Sequence, residues 1–317
     1  MRFVYFKGVI FITPFFDFNY FGMMSMKFVD PKTDIAFKKI FGNNAHKSIL
    51  IEFLNEILEL DYSIESVEIA DTYQPPKIYG LKSTSLDVKA KDQSKREFLI
   101  EMQVAKETWF SKRAIYYSSK AYSQQLAIGG NYQELKPVIF LGILDFTAFN
   151  HESHLSRHLL LNKETKQHDL KDLEFNFIEL PKFTKSEQEL ETVADKWIYF
   201  IQQAIKLDHI PENTDTPALR LAYEVAAQHQ WSSEELEVYE AQEMQLQISQ
   251  NVLETARMDG LAQGKEEGLA KGKEEGLAEG KLAEKQAIAK NLLATGLDVE
   301  TISKATGLTS TEIQKLF

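Results

Sequence analysis

Alternation of apolar and polar positions is clearest over residues 84–104, which read T-S-L-D-V-K-A-K-D-Q-S-K-R-E-F-L-I-E-M-Q-V. Leu86, Val88 and Ala90 share one parity before a polar centre, and Phe98, Ile100, Met102 and Val104 share one parity after it, the pattern of a β-hairpin. The opposite parity carries Asp87 and Lys89, then Glu101 and Gln103. A turn centred on Ser94 pairs residues equidistant from it, so Asp87 faces Glu101.

Elsewhere the periods predict an α/β order. Helical spacing covers Asp34 to Phe41 and Ser48 to Leu60, with Gly42-Asn43-Asn44 between them. Ile64 to Ile69 reads as a short strand, and Asp71 to Gly80, with Pro75-Pro76, as a loop. Trp109 to Ile128 is helical, with Phe110, Ala114, Tyr117 and Ala121 on one stripe. Val138 to Leu144 is continuously apolar, as in a strand buried on both faces. Two more strands are expected at Leu155 to Leu161 and Leu173 to Leu180, around the polar turn Asn162 to His168. From Ser186 onward the pattern is helical over Ser186 to Lys206, Ala218 to Gln230 and Ser232 to Met258.

An eight-residue repeat, G-L-A-x-G-K-E-E, occupies residues 260–281 with glycine at every fourth position. Each such glycine costs a helix about 1 kcal/mol against alanine, which predicts a flexible or marginally helical linker. Beyond it, Leu282 to Leu293 forms a short helix ended by Gly296, Asp298 caps a helix through Ala305, and Thr309 with Glu312 makes a capping box for the last one. Ile302, Ala305, Leu308, Ile313 and Leu316 fit the apolar skeleton of a helix-turn-helix, although Lys315 is the one basic residue on its final helix, so a small packing or oligomerisation unit fits at least as well. Five regions follow: an extension at 1–25, a core at 26–185, an acidic helical region at 186–259, the repeat at 260–281 and a small helical unit at 282–317. The extension is rich in Phe and Tyr, but charges and Pro14 leave no run long enough to span a bilayer, and translation is expected to start at Met24 or Met26.

Composition changes this picture in two ways. The chain has 317 residues and no cysteine, which rules out disulfides and thiolate metal sites and suits a reducing cytoplasm. Its net charge of −11 is unevenly spread. Lys77 to Lys120 holds ten basic and five acidic residues, whereas Ser186 to Asp259 holds four and fifteen, so a basic surface around the hairpin is expected to attract phosphate.

Cross-strand partners have Cβ atoms roughly 5 Å apart, and two facing acids destabilise a sheet unless a cation neutralises them. Asp87 and Glu101 are therefore candidate ligands for a hard ion, Mg²⁺ or Mn²⁺, with no Cys or His in the set. Such an ion keeps waters for a phosphate-bearing substrate. Acids on the wet face of a surface hairpin are the plain alternative. Asp34 is either a helix N-terminal acid or an accessory one near the metal. Glu52 and Glu56 lie one turn apart and are remoter carboxylate candidates. His151, His154 and His158 cross a loop-to-strand transition with no acidic pairing, so a structural or solvated role is expected.

Asp87 followed by Glu101-Met102-Gln103 is similar to the D…(D/E)-x-K core of the PD-(D/E)xK nucleases, with Gln103 where lysine usually stands. The run Pro31-Lys32-Thr33-Asp34-Ile35-Ala36-Phe37-Lys38-Lys39-Ile40-Phe41-Gly42, the Glu-Met-Gln triplet, Arg113 with Tyr116, and Gly130-Asn131-Tyr132 before Lys136-Pro137-Val138 together resemble the Rpn family, recombination-promoting nucleases also labelled putative transposases. The resemblance runs from about Phe28 to the C-terminus. It implies an α/β fold with a restriction-endonuclease-like mixed-sheet core flanked by helices and an α-helical C-terminal extension. It also implies a Mg²⁺- or Mn²⁺-dependent endonuclease acting on double-stranded DNA and promoting recombination or mobile-element activity. Asp87, Glu101 and the Met102 carbonyl would hold the metal, and Gln103 would orient water or phosphate. Lys89 is the nearest substitute for the missing lysine by parity, and Lys38, Lys112, Arg113 and Tyr117 would contact DNA. Two other functions stay open: a DNA-binding regulator whose catalytic core has decayed, and an interaction protein that forms homo-oligomers through its C-terminal helices. No membrane association is expected.

Overall fold

The computed structural model describes residues 3–6, 9–12, 26–74, 84–107 and 109–316. Within the expected extension, β1 (Phe3–Phe6) and β2 (Val9–Ile12) pair antiparallel, and the rest of it, including Pro14 and the expected start site Met24, lies outside the described residues. α1 (Asp34–Phe41) and α2 (Lys47–Leu58) follow the predicted periods closely. Then come β3 (Val67–Ala70) and a two-residue antiparallel pair, β4 (Tyr73–Gln74) with β5 (Thr84–Ser85). The expected Pro75-Pro76 loop falls outside the described residues.

The predicted hairpin is present as β6 (Val88–Asp92) and β7 (Glu97–Gln103). Its register pairs Val88 with Ile100 and Lys91 with Glu97, the alignment expected for a turn about Ser94. α3 (Phe110–Gln124) follows, then β8 (Val138–Leu144), β9 (Leu155–Leu160) and β10 (Leu170–Glu179). The six-stranded sheet runs β3-β6-β7-β8-β10-β9, with β7, β8 and β10 parallel to one another and the other pairs antiparallel. Parallel strands need helical crossovers, and α3 makes the one between β7 and β8. This is the mixed-sheet, restriction-endonuclease-like α/β core that was expected.

Both faces of the sheet are covered. One packs Val88, Ala90, Phe98, Ile100, Met102, Ile139 and Leu141 against α1 and α2, together with α4 (Val193–Gln203) and α5 (Pro217–Ala226). The other packs Leu99, Val138, Phe140 and Phe177 against Phe110, Ala114 and Ala121 of α3. Two expectations are corrected here. The second strand of the hairpin has no wet face, since every position of β7 before Gln103 is buried, and Leu86 joins the α3 core rather than the side occupied by Val88. Leu86 precedes β6, so strand parity does not govern it.

Gly142 of β8 sits beside Glu101 in the parallel register. A Cβ there would lie 2.8 Å from Phe177 Cδ1 and 3.2 Å from Phe110 Cζ, so the missing side chain is what lets the first turn of α3 press onto the sheet. At Gly42, which ends α1, a Cβ would lie 2.8 Å from the Lys38 carbonyl oxygen and 3.4 Å from Val88 Cγ2.

The chain divides into two compact units, residues 1–245 and 246–317. The division falls inside α6 (Ser233–Ala294), a continuous 62-residue helix. The separate helices expected at Ser232–Met258 and Leu282–Leu293 are thus one, and the glycine repeat between them is helical. Its Leu, Ala, Glu and Lys are strong helix formers and carry the glycines with them. α7 (Val299–Thr306) and α8 (Ser310–Gln314) complete the second unit. Asp298 caps α7, and Thr309 with Glu312 forms the predicted capping box. Ile302, Leu308 and Ile313 pack with Ala289, while Thr306 takes the buried place expected for Ala305, which is exposed. No helix among the described residues is long and apolar enough to cross a membrane.

Candidate active site

Asp87 immediately precedes β6, one position beyond its paired residues, and the register places it opposite Glu101 near the end of β7. Its Oδ2 accepts a hydrogen bond of 2.7 Å from the Met102 backbone N–H. In a β-strand the N–H and C=O of one residue point toward the same neighbour, so the Met102 carbonyl shares the Asp87 side. Gln103 points the other way, and its carbonyl accepts from Asp145 N at 2.9 Å beyond β8.

Glu101 is buried, with 7% of its side chain exposed. Its Oε1 is buried with no hydrogen-bond partner. Burial pushes its carboxyl well above the usual range, the Asp87 charge pushes it further, and Arg113 and Lys38 only partly oppose them. Asp87 is raised too, chiefly by burial and against the Met102 hydrogen bond, with a further rise from the charge and side-chain hydrogen bond of Asp34. Without a cation, the facing pair holds protons at pH values where carboxyl groups are normally ionised.

Helices from both faces of the sheet supply the surroundings. Asp34 and Lys38 of α1 form an ion pair of 2.6 Å, and both act electrostatically on Asp87. From α3, Arg113 donates from Nη2 to Gln103 Oε1 and lies 3.6 Å from Glu101 Oε2, while Nη1 contacts both oxygens of Glu107 at 3.0 and 2.9 Å. Tyr117 is half-buried nearby, its hydroxyl pKa raised by burial and by the Glu101 charge. Four carboxylates, Asp34, Asp87, Glu101 and Glu107, thus surround two cations, Lys38 and Arg113, a deficit that one divalent ion would balance. Among the described residues no three His, Asp or Glu side chains converge as a ligand group, so the donors available to a cation here would be Asp87, Glu101 and the Met102 carbonyl. That suits a hard ion, which keeps several waters, and the orphaned Glu101 Oε1 is the atom such an ion would satisfy.

Other candidates lie apart from this cluster. Lys89 ion-pairs with Glu97 at 3.0 Å, farther back along the ladder. Lys112 is exposed on α3 with its ammonium 4.6 Å from the Trp109 ring centroid. Glu52 is a structural acceptor for Trp197 Nε1 at 3.2 Å and Thr216 Oγ1 at 2.6 Å. His151 stacks on Phe149 and, against the expectation of no acidic pairing, lies 3.6 Å from Glu179 Oε2; His158 is tilted against Phe149 and His154 packs against Phe183. Glu107 was missed by sequence reasoning; it lies in a loop, where no periodicity marks which way a side chain turns.

The family model described as PD-(D/E)XK nuclease family transposase matches residues 31–256. A second, the Rpn/YhgA-like nuclease family C-terminal HTH domain, matches residues 282–317, which favours the helix-turn-helix reading of that unit. No curated protein and no solved structure matches the chain. Since the first match spans most of the chain and the facing acids fall within it, the chain belongs to the PD-(D/E)XK nuclease family transposases.

Proposed function

We propose that the protein is a Mg²⁺- or Mn²⁺-dependent endonuclease that hydrolyses phosphodiester bonds in double-stranded DNA and so promotes recombination or mobile-element activity. The observation that carries this reading is buried Glu101, with one oxygen unpartnered, beside the half-buried Asp87 whose charge acts on it. Asp87, Glu101 and the Met102 carbonyl hold the ion, and Asp34 stands behind Asp87 as an accessory acid. When bound, the ion supplies Lewis acidity to the phosphodiester and lowers the pKa of the attacking water. The Met102 N–H fixes Asp87, so that the carboxylate is oriented before any ligand arrives. Lys38, Lys112, Arg113 and Tyr117, from helices on either side, take up the phosphate backbone and set the DNA against the acids. The C-terminal helix-turn-helix adds a second DNA contact, and lack of cysteine agrees with a cytoplasmic setting.

The test is conversion of supercoiled plasmid with Mg²⁺ and with a chelator, beside Asp87→Ala and Glu101→Ala. Metal-dependent nicking by the wild type alone is expected. Undiminished cutting by both variants would remove the assignment, and salt-sensitive DNA binding without cutting by the wild type would favour a non-catalytic regulator.

A further inference from the structure

We infer that Arg113 supplies the positive charge that the family motif places on a lysine two positions after the acid, and that Gln103 is the positioning residue that holds it there; this rests on the nuclease reading above. The amide of Gln103 is committed to the chain. Its Oε1 accepts from Arg113 Nη2, and its Nε2 donates to Ala105 O at 3.1 Å. An amide carries no charge, so Gln103 cannot replace lysine electrostatically.

The guanidinium beside it can. Arg113 is gripped on several sides: Gln103 on one edge, Glu107 on another, and the rings of Phe110 and Tyr117 at 5.2 and 5.9 Å from its central carbon. Its Nε is buried with no hydrogen-bond partner, a donor not used by the fold. Nη2 lies 3.6 Å from Glu101 Oε2, which places the charge next to the proposed ligand. Lys89 is engaged elsewhere, its ammonium 3.0 Å from Glu97 Oε2, while Lys38 belongs to the α1 side of the site, its ammonium 2.6 Å from Asp34 Oδ1. A lysine at 103 would meet the guanidinium head-on, so glutamine at 103 and arginine at 113 are a matched pair.

The alternative is that Arg113 merely clamps α3 to β7. The two readings separate in the full-length chain with Arg113→Gln, Arg113→Lys, Gln103→Lys and the double variant Gln103→Lys/Arg113→Gln, each checked by circular dichroism. Single-turnover plasmid cleavage in Mn²⁺ should fall about 100-fold in Arg113→Gln, as for loss of one charge-stabilising donor, and less in Arg113→Lys. Restoring a cation at 103 in the double variant should recover about 10-fold over Arg113→Gln, whereas Gln103→Lys alone should be impaired by repulsion. Mn²⁺ binding to DNA-free protein, by calorimetry at alkaline pH, should move the opposite way and tighten about threefold in Arg113→Gln, because a cation beside Glu101 has gone.

Wild-type cleavage rates in Arg113→Gln would overturn the inference. So would lost cleavage without rescue by lysine at 103 and with Mn²⁺ affinity unchanged or weakened, the result a clamp predicts. If the wild type itself fails to cut while Asp87→Asn binds Mn²⁺ equally well, the nuclease reading falls and takes the inference with it.

Discussion

Glu97 and Glu101 stand on the same strand, on the same face of the sheet, four residues apart, and both are buried. Their surroundings differ. Glu97 has two ammonium groups, Lys89 at 3.0 Å and Lys91 at 3.1 Å, although the Lys89 contact at Oε2 is an ion contact without hydrogen-bond geometry. Glu101 has an acid across the ladder, one guanidinium at 3.6 Å shared with Glu107, and an oxygen with no partner. The fold neutralises the first within the chain and leaves the second short of positive charge. A buried carboxylate without compensation is costly, so Glu101 either keeps a proton or takes up a cation, and Glu97 needs neither.

The largest effect that could break this comparison is on catalysis. Asp87→Asn or Glu101→Gln should lower metal-dependent plasmid cleavage by about 1,000-fold or more if the acids hold the ion, while Glu97→Gln should leave a metal response intact. Metal binding itself should appear in melting experiments. Mn²⁺ at a hundred times its Kd should stabilise the wild type by about 2.7 kcal/mol, and Glu101→Gln should show no such gain; equal gains in both would dissolve the distinction. Conversely, Glu97→Gln should destabilise the protein by about 2 kcal/mol, because it leaves Lys89 partly buried without its counter-ion.

The subtlest contrast is in pH. Glu101 has its carboxyl raised in the folded state, to about 8, so the metal-free native protein keeps a proton that the unfolded chain loses. Stability from this group is complete below the ordinary carboxylate range and drains away as pH rises through the folded value. Metal-free thermal melts should therefore fall from mildly acidic to mildly alkaline pH, and Glu101→Gln should flatten the profile. A wild-type melt that rises across the same window would contradict the assignment.

Much of the site's framework was legible in the chain. Helix Asp34–Phe41 and strand Val138–Leu144 have the predicted ends, because their periods are unbroken and turn residues bound them. Lys89 was misplaced by the same logic that placed Glu101. Parity says which face a side chain leaves from, but a long flexible lysine is drawn along that face by the strongest nearby charge, here Glu97. The glycine repeat likewise gave a false break, since a penalty counted per residue says little about a helix whose other residues favour it throughout.

The amino-acid order alone set Asp87 opposite Glu101, since alternation fixes the face of each side chain and a turn centred on Ser94 picks one of the registers that bury the same apolar set. Tertiary structure decided what those acids meet. Arg113 reaches Gln103 because Gly142 lets Phe110 settle on the sheet, and Asp34 and Lys38 arrive from α1 on the opposite layer. Such meetings depend on how helices seat on a sheet, a matter of side-chain volume between segments far apart in the chain, to which local periodicity is blind.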